Sequence, residues 1–166
     1  MRKMYLSLIV AISIMFLGVA HAQVKDKSFK DWTVYSTTLQ GKKACYVASF
    51  PKSKSGNYKR RDEPYFLVTR INDNVDEVSA SSGYKYKTSS NVKVSIDNKN
   101  YKMFTKGELA WAPDSIKDSE MIKTMKKKNF MNVRGTSVKG TYSIDKYSLS
   151  GFTAAYDRMK SLCNKS

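Results

Sequence analysis

Two short segments of the chain concentrate basic side chains, and such side chains bind anions. The first is Tyr58-Lys59-Arg60-Arg61, and the second is Lys126-Lys127-Lys128. Guanidinium groups bind phosphate, sulfate or carboxylate groups through two parallel hydrogen bonds, whereas lysines bind them as point charges. Both segments are therefore candidate anion-binding sites. The competing explanation for both segments is a plain solvated surface. In the first segment, Asp62 and Glu63 follow the arginines directly, and local ion pairs would reduce its capacity to bind an anion.

The sequence offers little for catalysis. Its single histidine is His21, so residues 23–166 contain no imidazole to serve as a general base or a metal ligand. Ser148-Leu149-Ser150-Gly151 lacks the first glycine of a nucleophile elbow, and Ser150 is better suited to capping a helix. Glycoside hydrolysis needs only two acids, but sequence alone does not bring Asp62 and Glu63, or Asp118 and Glu120, across a cleft. We predict a non-enzymatic protein with no catalytic residues, no metal and no cofactor.

The first 22 residues are typical of a secretory signal peptide. Two basic residues precede an apolar run that ends at Ala20, and Ala20-His21-Ala22 has the form of a cleavage site. The run is shorter than the roughly 20 apolar residues of a membrane span, and no second such run follows. We therefore predict a single domain over 23–166, without a transmembrane segment, that is periplasmic, envelope-associated or secreted.

The net charge of the chain is strongly positive. It carries 30 basic and 14 acidic residues, and removal of the signal peptide leaves 28 basic residues. Such a charge attracts polyanions in a salt-dependent manner. Nucleic acid would be the expected partner inside a cell, but export argues against it. The predicted ligands are lipopolysaccharide, acidic lipid head groups or glycosaminoglycans, and envelope proteins are the alternative partners.

Cys45 and Cys163 are the two cysteines of the chain. An exported protein can form a disulfide, and only one pairing is possible. The bond would join an early strand to the last helix. The absence of a Cys-x-x-Cys motif argues against a redox role.

Alternating apolar residues from Trp32 onward predict strands. Val92, Val94 and Ile96 form one such series, and the turn at 97–100 predicts a hairpin with the next strand. The polar stretch from Pro51 to Pro64 is predicted to be a loop, and the series through Val138, Gly140, Tyr142 and Ile144 is predicted to continue a strand. The predicted core comprises Trp32, Phe66, Val68, Val94, Ile96, Trp111, Val133, Phe152, Met159 and Leu162.

Two segments have helical spacing instead. We predict a short helix near 118–128 that is capped by Asp118, and a C-terminal helix near 150–163 that is capped by Ser150. The predicted fold is mainly β: an antiparallel β-sandwich or open barrel on which the C-terminal helix packs.

A set of short motifs, taken in order, resembles the invasion-associated locus B family of exported bacterial proteins. The motifs are Phe29-Lys30-Asp31-Trp32, Lys43-Ala44-Cys45-Tyr46, Pro64-Tyr65-Phe66-Leu67-Val68-Thr69, Phe104-Thr105-Lys106-Gly107, Ala110-Trp111, Met125-Lys126-Lys127, Val133-Arg134-Gly135-Thr136-Ser137 and Tyr147-Ser148-Leu149-Ser150-Gly151-Phe152. The resemblance spans roughly Phe29 to Cys163. It implies a small, β-rich periplasmic or envelope-associated protein, and some members of the family are linked to entry into host cells. It implies no reaction and transfers no catalytic residues.

Overall fold

The computed structural model describes residues 23–39, 41–72 and 75–164. The predicted signal peptide and its cleavage site at Ala20 and Ala22 lie outside these residues. The first strands are β1 (Val24–Phe29), β2 (Trp32–Leu39), β3 (Lys42–Ser49), β4 (Ser53–Gly56), β5 (Tyr65–Asn72) and β6 (Val75–Ser81). They are followed by β7 (Asn91–Ile96), β8 (Lys99–Lys106), β9 (Leu109–Trp111), α1 (Ser115–Met125), β10 (Phe130–Thr136), β11 (Tyr142–Ser148) and α2 (Phe152–Cys163).

Within the described ranges, the strands form one antiparallel sheet of eleven strands, and this sheet does not close into a barrel. Their order is β1-β2-β3-β5-β6-β9-β8-β7-β10-β11-β4. Most neighbours in this order are also close in sequence, as in a meander. Two pairs, β6 with β9 and β7 with β10, join strands about 30 residues apart. The largest departure is β4, which follows β3 in the chain but pairs with β11 at the far edge of the sheet.

The position of β4 requires the sheet to curl. In a flat sheet, the eight strand spacings between β3 and β4 would cover about 38 Å. Ser49 and Ser53, at the end of β3 and the start of β4, are four Cα steps apart and can span at most roughly 15 Å. The two ends of the sheet therefore face each other across a single core.

The core fills the inside of this curl. Trp32 is fully buried, packs edge-on against Phe66 and Phe152, and donates its indole N–H to the Ser148 carbonyl at 3.0 Å. The helix α2 packs on β1, β2, β3 and β5, and α1 packs on β6. Of the predicted core, all members are buried except Trp111 and Leu162, which are half-buried.

The disulfide between Cys45 and Cys163 fixes α2 to β3. Its Cα atoms are 5.9 Å apart, and the sequence separation is 118 residues. Both cysteines are buried. The bond joins an early strand to the last helix, as the sequence predicted.

Several boundaries differ from the prediction. The first helix starts at Ser115 and is capped by Asp114, whose side chain accepts the Lys117 N–H, so the assignment of Asp118 as the cap was wrong. Ser150 does not cap α2 either. The cap is Gly151, in a left-handed conformation at φ 89°, where a Cβ would lie 1.9 Å from the Phe29 carbonyl oxygen.

Three strands, β1, β4 and β9, were not predicted from the sequence, and one strand was predicted to be longer than it is. The strand β4 lies inside the stretch that was predicted to be a loop, and β1 was not predicted. All four residues of β4 are exposed, and β1 has no buried residue, so neither has the apolar alternation that signals a half-buried strand. Val138 and Gly140 belong to the turn between β10 and β11, and Val138 is exposed.

We expect loss of the disulfide to destabilise the fold strongly. For a loop on the order of 100 residues, the chain-entropy argument gives a loss of up to about 4.7 kcal/mol in the free energy of unfolding. Urea denaturation of the oxidised protein, the reduced protein and the Cys45→Ala/Cys163→Ala variant measures this loss. Equal midpoints for the oxidised and reduced proteins would contradict the prediction.

Candidate functional site: a lysine groove

The first predicted cluster, Tyr58-Lys59-Arg60-Arg61, lies between β4 and β5 and is here called the basic loop. Arg61 does not face solvent: its side chain is 3% exposed and pairs with Asp145, whose side chain is 1% exposed. One guanidinium nitrogen bonds the second carboxylate oxygen of Asp145 at 2.7 Å and the Ser82 carbonyl at 3.0 Å. Burial by itself would lower the pKa of Arg61. The hydrogen bonds and the negative charge of Asp145, together with Tyr58, have the larger combined effect, so the pKa of Arg61 is raised. Its charge is therefore already neutralised within the protein.

Tyr58 also contacts the buried guanidinium group of Arg61. Its ring lies 4.2 Å from the Arg61 guanidinium carbon, and its hydroxyl accepts a hydrogen bond from Arg61 at 3.0 Å. The next residues are held to the fold by the Asp62 N–H, which donates to the Gly83 carbonyl at 2.9 Å. Lys59 and Arg60 remain exposed beside a small pocket of about 290 Å³. Only these two members of the basic loop are placed to meet a ligand.

The second predicted cluster is also divided by the structure. Lys126 lies 4.2 Å from the Tyr156 ring centroid and pairs with Asp157 at 3.2 Å. Lys128 pairs with Asp97 at 2.7 Å. Lys127 instead faces a surface groove of about 690 Å³.

This groove lies between β8 and α1, and we call it the lysine groove. Its basic lining residues are Lys99, Lys102, Lys117, Lys123 and Lys127. The other residues in the lining are Asn100, Tyr101, Pro113, Glu120 and Thr124. Five lysines and one glutamate therefore line one cavity, and no other cavity described has so large an excess of basic over acidic lining residues.

The floor of the lysine groove is fixed by a hydrogen bond between strand and helix. The hydroxyl groups of Tyr101 and Thr124 lie 2.7 Å apart, and the Tyr101 hydroxyl is 3.4 Å from the Glu120 carbonyl. The acid in the lining is already engaged, because the Glu120 carboxylate pairs with Lys117 at 2.8 Å. This contact raises the pKa of Lys117. The groove is thus a preformed cavity with an excess of positive charge.

Lys102 also belongs to a row of cations across the exposed face of the sheet. It lies directly opposite Lys93 on β7, and Lys93 lies opposite Arg134 on β10. All three residues are exposed, and Arg134 lies over the Tyr142 ring at 4.8 Å. Like charges in direct cross-strand register destabilise a sheet. We call these three residues the cationic row.

A second cavity of about 400 Å³ adjoins the lysine groove, and Pro113 lines both. We call it the aromatic pocket because the rings of Phe104 and Trp111 stack along one wall, with centroids 5.6 Å apart. Asp118 borders this pocket and accepts the Val78 N–H at 2.7 Å. Burial raises the pKa of Asp118 to about 6, although the hydrogen bond from Val78 opposes that shift.

Sequence reasoning grouped basic residues by adjacency and so missed most of the lysine groove. The available signal was the spacing of Lys123 and Lys127, because residues four apart share one side of a helix. Lys99 and Lys102 could not be added from the sequence, since nothing local indicates that β8 lies beside α1.

The fold defines a β-rich protein with one curled antiparallel sheet and a C-terminal helix attached by a disulfide. No helix in the described ranges has the length and apolar content to span a membrane. The family model for the invasion associated locus B (IalB) protein matches residues 32–160. The chain therefore belongs to the IalB family.

The comparison with solved structures gives the same fold. The crystal structure of invasion associated protein B from Bartonella henselae is similar, with a TM-score of 0.61 and 15% sequence identity. The alignment covers 84% of this chain and 96% of that one. A search of curated protein sequences found no significant match.

We expect Arg61 to be structural and its neighbour Arg60 to be dispensable for folding. Arg61→Ala would leave Asp145 as an unpaired buried carboxylate and should lower the free energy of unfolding by about 3–5 kcal/mol. Arg60→Ala, at an exposed position, should change it by less than about 0.5 kcal/mol. Thermal and urea denaturation of the two variants measures the difference, and equal stability would contradict the assignment.

The raised pKa of Asp118 predicts a pH-dependent cost in stability. In the folded state Asp118 holds its proton up to about pH 6, whereas the ordinary pKa of an aspartate side chain is 3.8. Stability should therefore fall as pH rises from 4 to 6, by an amount on the order of 1–2 kcal/mol from this group. Asp118→Asn keeps an oxygen for the Val78 N–H and lacks this cost. The stability of the variant relative to the unaltered protein should increase from pH 4 to pH 7, and a constant difference would contradict the prediction.

Proposed function

We propose that this protein is an exported binding protein whose lysine groove holds an anionic component of the bacterial envelope or of a host-cell surface. It acts by binding and carries out no reaction. The observation that carries the proposal is the convergence of five lysines on one preformed cavity. Lysine ammonium groups are strong donors to phosphate, sulfate and carboxylate oxygens.

The charge distribution within the lysine groove supports this proposal. Most acidic side chains near the predicted basic clusters are already paired: Asp145 with Arg61, Glu63 with Lys54, and Asp157 with Lys126. In the groove, by contrast, five lysines share the single acid Glu120. A bound anion would supply the missing negative charge.

The cationic row adds a second line of support. Three cations in direct register across β8, β7 and β10 repel one another, and a single neutral residue at Lys93 would relieve that repulsion. Features that cost stability are expected at functional sites. A polyanion that extends from the lysine groove through Lys102 would neutralise the row.

Export and location are part of the proposal. The signal-peptide pattern of residues 1–22, the disulfide and membership of the IalB family all support a periplasmic or envelope-associated protein. Lipopolysaccharide, acidic lipid head groups and glycosaminoglycans are the anions of that setting. A contribution to host-cell invasion would follow from binding of a host-surface anion.

The test compares three double variants that each remove two positive charges. Lys123→Gln/Lys127→Gln alters the lysine groove, Lys59→Gln/Arg60→Gln alters the exposed part of the basic loop, and Lys25→Gln/Lys139→Gln alters exposed lysines outside both. Each lysine near an anionic surface contributes about 1 kcal/mol. The groove variant should therefore be retained roughly 30-fold less on heparin and lipopolysaccharide surfaces at low salt.

The controls decide whether the effect is local. The third variant should lose little, and an unrelated exported protein of matched net charge should bind more weakly than this one. Equal losses in all three variants would mean that bulk charge drives retention. A loss confined to the loop variant would move the site to Lys59 and Arg60. Retention no better than that of the matched protein would favour the alternative function, envelope maintenance through protein partners, which crosslinking in the envelope can identify.

A further inference from the structure

The aromatic pocket beside the lysine groove contains two stacked aromatic rings, of which Phe104 is exposed. The planes of Phe104 and Trp111 are inclined by 25°, and Phe104 is 47% exposed. These two residues are directly paired across β8 and β9, so their rings lie on the same face of the sheet. Lys102 lies two residues before Phe104, on the same face of β8. A ligand that reaches from the lysines to the rings would therefore follow a single strand.

The polar groups of the aromatic pocket differ from those of the lysine groove. Glu77, Asp114 and Asp118 line it, together with Lys106. Asp114 caps α1 and Asp118 accepts the Val78 N–H, so each has an oxygen engaged in the fold. Carboxylate oxygens repel an anionic group but accept hydrogen bonds from hydroxyl groups. The two adjoining cavities thus favour different parts of one ligand.

We infer that the ligand is an anionic saccharide. Its sulfate or phosphate group lies among the ammonium groups of the lysine groove. The adjoining sugar ring stacks on Phe104 and Trp111, and its hydroxyl groups donate to the carboxylates of the aromatic pocket. This inference rests on the proposed function, because the lysine groove must first bind the anion.

Two other classes of anion fit the pair of cavities less well. An acyl chain requires a deep apolar cavity, whereas the aromatic pocket is shallow and contains three carboxylates that would lose their hydration. A nucleic acid strand can stack a base on the rings, but a base offers the carboxylates fewer hydrogen-bond donors than the hydroxyl groups of a sugar do. A sugar has both an apolar ring face and a set of hydroxyl donors, so it matches the rings and the carboxylates together.

The test uses Phe104→Ala, with Phe130→Ala as the matched control. Phe130 is also 47% exposed, and it lines neither cavity. The probes are a heparin-derived octasaccharide, inorganic polyphosphate of similar charge, phosphatidylglycerol vesicles and a single-stranded oligonucleotide. Stacking on one aromatic ring predicts that Phe104→Ala binds the octasaccharide roughly three- to tenfold more weakly. Its affinity for polyphosphate should not change, and Phe130→Ala should bind all four probes as the unaltered protein does.

The outcomes separate this inference from the proposed function. Octasaccharide binding that is insensitive to Phe104→Ala but lost in Lys123→Gln/Lys127→Gln would overturn the saccharide assignment and leave the anion site in place. If Lys123→Gln/Lys127→Gln binds every probe as tightly as the unaltered protein does, both the saccharide inference and the proposed function are overturned. If Phe104→Ala instead loses affinity for the vesicles or the oligonucleotide and keeps its affinity for the octasaccharide, the saccharide inference is wrong and the ligand belongs to the class of that probe. Melting temperatures of the two phenylalanine variants confirm that a loss of binding is not a loss of folding.

Discussion

The rest of the structure depends on the pairing of β4 with β11, which brings the far edge of the sheet close to β3 over a common core. The strand β4 reaches β11 only because the sheet curls, and the buried pair of Arg61 and Asp145 holds the segment after β4 against the inner side of β11. Desolvating two charges is costly, and their mutual contact offsets that cost only with good geometry and further hydrogen bonds. Tyr58 and the Ser82 carbonyl supply those additional contacts.

The same curl determines where the candidate site can form. The strand β9 has three residues and pairs with only the last part of β8, from Phe104 to Lys106. In the described part of the chain, no other strand pairs along that side of β8 at Lys99–Met103, and α1 lies there instead. The lysine groove is the space between this strand edge and the helix. The aromatic pocket begins where the β8 and β9 pairing begins, so the two cavities adjoin each other at Pro113.

The lysines and arginines of the chain serve two different purposes. Arg61, Lys54, Lys126 and Lys128 pair with acids and contribute to the fold or to local contacts. The lysines of the groove and the cationic row have few acids near them, and their arrangement costs stability through mutual repulsion. The net charge of the sequence does not distinguish these two groups. The distinction depends on which acids the tertiary structure brings close to each cation.

The sequence by itself determined the β-rich class, the hairpin of β7 and β8, the C-terminal helix and the pairing of Cys45 with Cys163. These features follow from local periodicity, from turn residues and from the count of cysteines. It also indicated most of the core, because apolar alternation marks the buried face of a strand. It did not indicate β1 or β4, because edge strands that remain exposed carry no such alternation.

The tertiary structure alone decided the role of each cation. It placed Arg61 inside the protein, and it left Lys127 facing a cavity while Lys126 and Lys128 pair with acids. It also brought Lys99 and Lys102 next to the lysines of the α1 segment. Each of these outcomes depends on contacts between residues far apart in sequence, and charge and hydropathy patterns within a short window carry no information about such contacts.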